Sequence, residues 1–175
     1  MIELRKEDEA IPASYPAATA PDGVDAAAVW QRIEAYTRTR YTDRAVTWTL
    51  EGDTGDDWNP PLSPVTAIQA ERWDGDAFVP VGLSDGPLGH SLPMRGTYRV
   101  TAQVGSGDAP AAVLEAFRRL ATYLADDDDR AGVSSYSVNM GGAIQESYSR
   151  NAAHTARALQ NSGAADLLRP YRRLK

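Results

Sequence analysis

This sequence predicts an α+β fold: a small helical bundle with an inserted antiparallel β-sheet and an extended C-terminal tail. Three observations lead there. Apolar residues recur at helical spacing near residues 24–40, alternate with polar ones at several places across 44–104, and return to helical spacing from residue 109. Residues 162–175 are basic and apolar at once, and Pro170 keeps them from closing into one long helix. The expected organisation is a lead-in over 1–23, a body over 24–161 and a docking tail over 162–175.

Each element has its own reason. Residues 10–23 are rich in Ala, Pro and small polar residues, which predicts an extended lead-in with no stable element. Asp22 or Asp25 can cap a helix over 24–40, with Val29, Ile33 and Tyr36 on one stripe and Trp30 at its edge. Val46, Trp48 and Leu50 alternate with Thr47 and Thr49, the pattern of a half-buried strand. Residues 52–61 form an acidic loop. Further strands are expected at Val65–Arg72 and Phe78–Val81, joined by a turn at Asp74-Gly75-Asp76, and at Thr97–Val104 after a long loop over 82–96.

Asp108 and Pro110 open the clearest helix, over 109–127, with Val113, Phe117, Leu120, Ala121 and Leu124 on one face. It ends in Asp126 to Asp129, whose charge opposes the helix dipole and predicts fraying. Residues 130–143 read as a flexible connection. A last helix is expected over 149–161, with Gly163 just past its end.

At 175 residues the chain has the size of one domain and can bury a core without staples. It has no cysteine, so disulfides, zinc–thiolate sites and thiol nucleophiles are excluded. The amino terminus lacks the layout of a signal peptide, and no apolar run approaches the ~20 residues of a membrane span. A soluble, cytoplasmic protein is expected. The net charge of −6 is uneven. Arg150, Arg157, Arg169, Arg172, Arg173 and Lys175 oppose Asp166 alone, a local +5, which leaves −11 on residues 1–149. An acidic body repels nucleic acid, while a basic end seeks an acidic protein surface or a phosphate backbone.

Little in the chain promises chemistry. His90 and His154 have no companion at metal-ligand spacing. Asp126 to Asp129, and Asp53, Asp56 and Asp57, lack the alternating layout that wraps a calcium ion, and read as solvated charge. Gly105-Ser106-Gly107 precedes a helix as a phosphate cradle would, but Asp108 follows where a P-loop has lysine. Trp30, Trp48, Trp58 and Trp73 read as packing residues, since a base-stacking platform needs basic neighbours. No catalytic residue, metal site or cofactor is expected.

Two stretches resemble a known family. One is Arg32-Ile33-Glu34-Ala35-Tyr36-Thr37 running through Arg44 into Val46-Thr47-Trp48-Thr49-Leu50. The other is Ser162-Gly163-Ala164-Ala165-Asp166-Leu167-Leu168-Arg169-Pro170-Tyr171-Arg172-Arg173. With the order of elements over most of 24–173, they resemble the head–tail connector (adaptor) proteins of long-tailed bacteriophages and phage-derived gene transfer agents. Family members place another helix before 24–40, where this chain has only its Pro/Ala-rich lead-in.

The resemblance implies a structural subunit, not an enzyme, in a ring of about a dozen copies at the head–tail junction of a virion or gene-transfer-agent particle assembled in the bacterial cytoplasm. Its implied partners are the portal protein, a tail-side connector or stopper protein, other copies of itself, and double-stranded DNA passing through the lumen. It assigns portal binding to Leu167, Leu168, Arg169, Pro170, Tyr171, Arg172 and Arg173. The competing readings are a neighbouring stopper or tail-completion ring protein, which would be mostly β, a nucleic-acid-binding module using the basic end, and an enzyme supported only by carboxylate clusters.

Overall fold

The computed structural model describes residues 1–105, 107–128, 135–140, 144–149 and 157–173. In chain order the elements are β1 (Glu3–Glu9), α1 (Ala26–Thr37), β2 (Arg44–Gly52), β3 (Asp57–Trp58), β4 (Val65–Trp73), β5 (Phe78–Val81), β6 (Ser84–Gly86), β7 (Gly89–Ser91), β8 (Gly96–Val104), α2 (Ala111–Asp128), β9 (Ser135–Met140), β10 (Ile144–Ser149), α3 (Ala158–Asn161), α4 (Ala164–Leu168) and a 3₁₀ turn (Arg169–Tyr171). The fold is α+β. The chain divides into two units. One holds Met1–Pro16, Arg38–Asp108 and Arg173; the other holds Ala17–Thr37 and Ala109–Arg172.

The first unit is a β structure built on alternation. In β2, Val46, Trp48 and Leu50 are buried while Thr47 and Thr49 are half-exposed. In β8, Tyr98, Val100, Ala102 and Val104 are buried in the same way. The two strands pair antiparallel without a break from Arg44 opposite Val104 to Gly52 opposite Gly96, so their apolar rows coincide on one face. The full sheet has the order β1-β2-β8-β4-β5. A bulge in β4 between Thr66 and Gln69 absorbs one extra residue, and Ala67 takes φ +53 there.

Asp74 closes the β4–β5 turn as expected, its Oδ1 accepting from the backbone N–H groups of Asp76 (3.0 Å) and Ala77 (2.9 Å). Those bonds favour the carboxylate and hold its pKa below the ordinary value. A second, three-stranded sheet, β3-β7-β6, lies within the stretches expected to be loops. Its Trp58 meets Trp48 edge-on at 5.4 Å, and Leu62 and Leu92 complete the same core.

The sequence pattern did not reveal β1. Residues 3–9, expected as part of an extended lead-in, form an edge strand antiparallel to β2, with a bulge between Leu4 and Lys6. The segment is almost wholly charged and has no apolar period to betray it. Residues 10–23 contain no helix or strand.

The second unit is helical with one hairpin. Asp25 caps α1, its Oδ1 accepting from the Ala27 N–H at 2.9 Å. The helix ends at Thr37, three residues before the expected Arg40, because Arg38 takes the left-handed φ of +58. Its buried face is Val29, Trp30, Ile33, Glu34 and Thr37, a stripe turned away from Tyr36, which is half-exposed. In α2 the expected face holds: Val113, Phe117, Leu120 and Ala121 are buried, with Leu124 half-buried. Trp30 and Phe117 lie 5.0 Å apart, centroid to centroid.

Past α2 the expectation is corrected. Within residues 130–143, read as a flexible connection, 135–140 form β9. It pairs with β10 from Ser135 opposite Ser149 to Met140 opposite Ile144, so Ser149 belongs to a strand and does not begin a helix. Composition misled here: the Gly and Ser residues around the segment weigh against strands, although Tyr136, Val138 and Met140 alternate with Ser135, Ser137 and Asn139 as a strand requires. Of the helix expected over 149–161, α3 is found; residues 150–156 lie outside the described residues. Gly163 has the predicted left-handed conformation, φ +72.

Candidate functional site

The tail residues assigned to portal binding do not form a loose strip. After Gly163 the chain makes α4 and the 3₁₀ turn, and α4 lies against α2 and α1 of its own unit. Ala164 and Leu168 are both 0% exposed. Leu168 therefore serves its own core and is not presented to a partner. Arg169, Pro170 and Arg172 are exposed, while Leu167 and Tyr171 are half-buried. Arg169 pairs with Asp166 at 2.8 Å, the carboxylate one helical turn before it. Arg172 stands over the Tyr36 ring, 5.5 Å from its centroid. Arg173 belongs to the other unit, where its guanidinium donates to the Leu62 carbonyl (3.0 Å) and to Asn59 Oδ1 (2.5 Å). Of the seven assigned residues, Arg169, Pro170 and Arg172 are the exposed ones.

Pro170 sits in the first turn of the 3₁₀ segment, where its missing N–H costs nothing, and Arg172 leaves that turn with extended backbone. This local chemistry explains why the basic residues separate. Arg169 is still helical, whereas Arg172 and Arg173 follow the turn.

A charged cluster that sequence reading missed lies at the start of the sheet. Arg40 and Arg44, with side chains 10% and 4% exposed, converge on Glu9. Arg40 Nε donates to Glu9 Oε1 and its Nη2 to Oε2 at 2.7 Å, while Arg44 Nη1 reaches Oε1 at 3.1 Å. Arg44 also donates to Thr42, through Nη2 to Oγ1 at 2.8 Å and Nε to the carbonyl at 3.2 Å. Burial pushes the Glu9 carboxyl up, but the hydrogen bonds and charge of Arg40, then of Arg44, outweigh it and hold the pKa below the ordinary value. One signal was available in the sequence. Arg44 falls in phase with Val46, Trp48 and Leu50, so it had to point inward and find a partner.

Among the described residues, no group of three or more His, Asp or Glu could hold a metal ion. Asp53 and Asp56 face the Met1 amino group instead, Asp56 at 2.6 Å. His90 Nδ1 lies 3.2 Å from Asp85, and its ring is 6.3 Å from that of Trp58. The side chains of Asp126 to Asp129, Ser106 and His154 lie outside the described residues. Trp30, Trp48 and Trp58 are buried, and Trp73, 41% exposed, meets Phe78 edge-on at 5.1 Å. Among the described residues no helix is long and apolar enough to cross a membrane.

The sequence matches no family model, and it matches no curated protein. Solved structures do match. A chain in the neck of an empty gene transfer agent (GTA) particle, computed with C6 symmetry, aligns with 98% of this chain and 97% of its own length, at TM-score 0.52 and 16% identity. This chain shares that fold. Two further chains align over 86% of this one at 18% identity. One is from the virion of a native GTA particle (75% of its own length, TM-score 0.48) and the other from the neck of a native GTA particle computed with C12 symmetry (80%, TM-score 0.47). The fold likeness at C6 runs nearly end to end in both chains, so it takes in the β1 segment and the tail as well as the body.

Proposed function

We propose that this chain is a structural connector (adaptor) subunit at the head–tail junction of a phage-like or gene-transfer-agent particle. Identical copies, about a dozen, form a ring that joins the portal to the tail and lets double-stranded DNA pass through its centre. The subunit catalyses nothing and needs no cofactor. One observation carries this reading: the shared fold with a neck chain, nearly complete over both lengths.

The charge distribution supports it. An acidic body suits a conduit that DNA must traverse without sticking, and the exposed basic end suits an acidic protein surface. The portal contact is carried by Arg169, Pro170 and Arg172, with Leu167 and Tyr171 as the partly buried apolar anchors beside them and Arg173 holding the end of the tail to its own unit. Leu168 contributes indirectly, by fixing the turn that presents them. A tail-side connector or stopper protein would take the opposite end of the ring.

The test is binding to the portal protein of the same particle. Arg169→Glu with Arg172→Glu should weaken the complex at least tenfold while the circular dichroism spectrum stays unchanged, because exposed guanidinium contacts add affinity without supporting the fold. Undiminished binding by the double variant would remove the tail from the contact. Tight, salt-sensitive binding of DNA by the isolated protein would favour a nucleic-acid-binding module instead.

A further inference from the structure

Strand β1 carries no buried apolar side chain, and an apolar anchor stands just before it in Ile2, which packs against the core of the sheet. Residues 3–8 are exposed, Leu4 included at 42%, and only Glu9 is half-buried. Two ion pairs, Arg5 with Glu3 and Lys6 with Asp8, lie within the strand. Beyond the backbone ladder to β2, its hold is polar and comes at three points. Arg5 meets Glu51 at 2.8 Å, Glu7 accepts the Trp48 indole N–H at 2.9 Å, and Glu9 receives Arg40 and Arg44. Glu51, Trp48 and Arg44 lie on β2, and Arg40 in the segment that leads into it. The same strand supplied by another copy would make the same contacts at the same energy, which is the condition for exchange of an element between protomers.

The chain after β1 permits that exchange. Ala10 N–H bonds the Ala45 carbonyl at 2.9 Å, and the Arg44 guanidinium lies over the Tyr15 ring at 5.6 Å, so the docked segment ends near Tyr15. Residues 16–25 then run without helix or strand to the first turn of α1. The run holds one tight turn, Pro21 to Val24, closed by the Val24 N–H on the Pro21 carbonyl at 3.2 Å with Gly23 at φ +82, and exchange would open it. Extended at about 3.1 Å per residue it reaches about 30 Å, about the diameter of a small domain. The reach is one neighbour.

We propose that in the assembled ring each copy donates β1, with residues 10–15, to the sheet of the adjacent copy, where it pairs with β2 in the register seen here. The partner is a second copy of this chain. Because every subunit gives one strand and receives one, a closed ring leaves no β2 edge unpaired, whereas an open chain leaves one at its end. The inference rests on the ring reading above.

The chain has no cysteine, so introduced pairs report without background. Asp8 lies opposite Thr47, and Lys6 opposite Thr49. The full-length Asp8→Cys/Thr47→Cys protein, and separately Lys6→Cys/Thr49→Cys, would be assembled, oxidised and run on a denaturing gel without reductant, with the oligomer measured by light scattering beforehand. Exchange predicts a ladder of covalent multimers that collapses to monomer on reduction. Mixing Asp8→Cys chains with Thr47→Cys chains should also give a cross-linked heterodimer. An oligomer whose disulfides all lie within single chains overturns the exchange and leaves the ring standing. A chain that never associates, alone or with its portal, overturns both.

Discussion

Arg40 grips Glu9 with two prongs of its guanidinium, and Arg44 takes the same carboxylate from a second side. Two buried cations sharing one carboxylate make Glu9 the pin that ties the edge strand to the start of β2. Glu9→Gln should lower stability by about 2 kcal/mol at pH 7, since charge-assisted bonds in a partly buried site are lost together. The folded-state pKa of Glu9 lies below its ordinary value of 4.5, so its contribution is complete above that pH and is lost as pH falls through the folded value. Urea unfolding at pH 7 and pH 3 checks this. The gap between the wild type and Glu9→Gln should narrow in acid, and a gap that stays constant would deny the carboxylate its role.

Leu168→Ala should cost about 2–4 kcal/mol, the range for a large buried side chain cut back in a packed core. Leu167→Ala, half-buried one residue earlier, should cost about 1 kcal/mol or less. Thermal melts of the two variants decide it. Equal melting temperatures would mean that α4 does not belong to the core of its own unit. Removing residues 164–175 should likewise destabilise the protein, while removing 172–175 should leave the helical unit folded.

Gly105 and Gly107 both adopt left-handed backbone, at φ +93 and +83, yet their surroundings differ. A Cβ on Gly105 would sit 2.1 Å from the Thr42 carbonyl oxygen, whereas one on Gly107 would meet nothing within 4 Å. Gly105→Ala should therefore cost more than about 3 kcal/mol and Gly107→Ala about 1 kcal/mol, the left-handed penalty alone. Denaturation midpoints that fall equally would contradict the close approach of Gly105 to Thr42.

Glu115 accepts from Arg118 Nε and Nη2 and from Arg119 Nε, each at 2.8 Å, and these bonds lower its pKa to about 2. A carboxyl titration followed by NMR should place Glu115 near that value at low salt. The value should climb toward the ordinary 4.5 as salt is added or when Arg118 becomes alanine, because an exposed pair is screened. A Glu115 that titrates normally at low salt would show the fork to be unpopulated in solution.

The larger sheet was mostly legible. Val46, Trp48 and Leu50 announced β2, and Tyr98, Val100 and Ala102 announced β8, because a strand with one buried face must write a period of two into its residues. Val113, Phe117, Leu120 and Ala121 did the same for α2 with a period near four. Strand β1 wrote nothing, since an edge strand can be held by backbone bonds and charges alone. The hairpin β9–β10 was written but overlooked: Tyr136, Val138 and Met140 alternate with Ser135, Ser137 and Asn139, a period of two that the surrounding Gly and Ser residues masked.

By itself, then, the sequence determined the α+β class, the succession of helix, sheet and helix, the left-handed glycine at 163, and the division between an acidic body and a basic end. These are local properties, written in neighbouring residues. Only the tertiary structure decided that Leu168 turns inward while Arg169 and Arg172 face out, and that Glu9 meets Arg40 and Arg44. Such choices depend on residues distant in sequence, whose pairing no periodicity records.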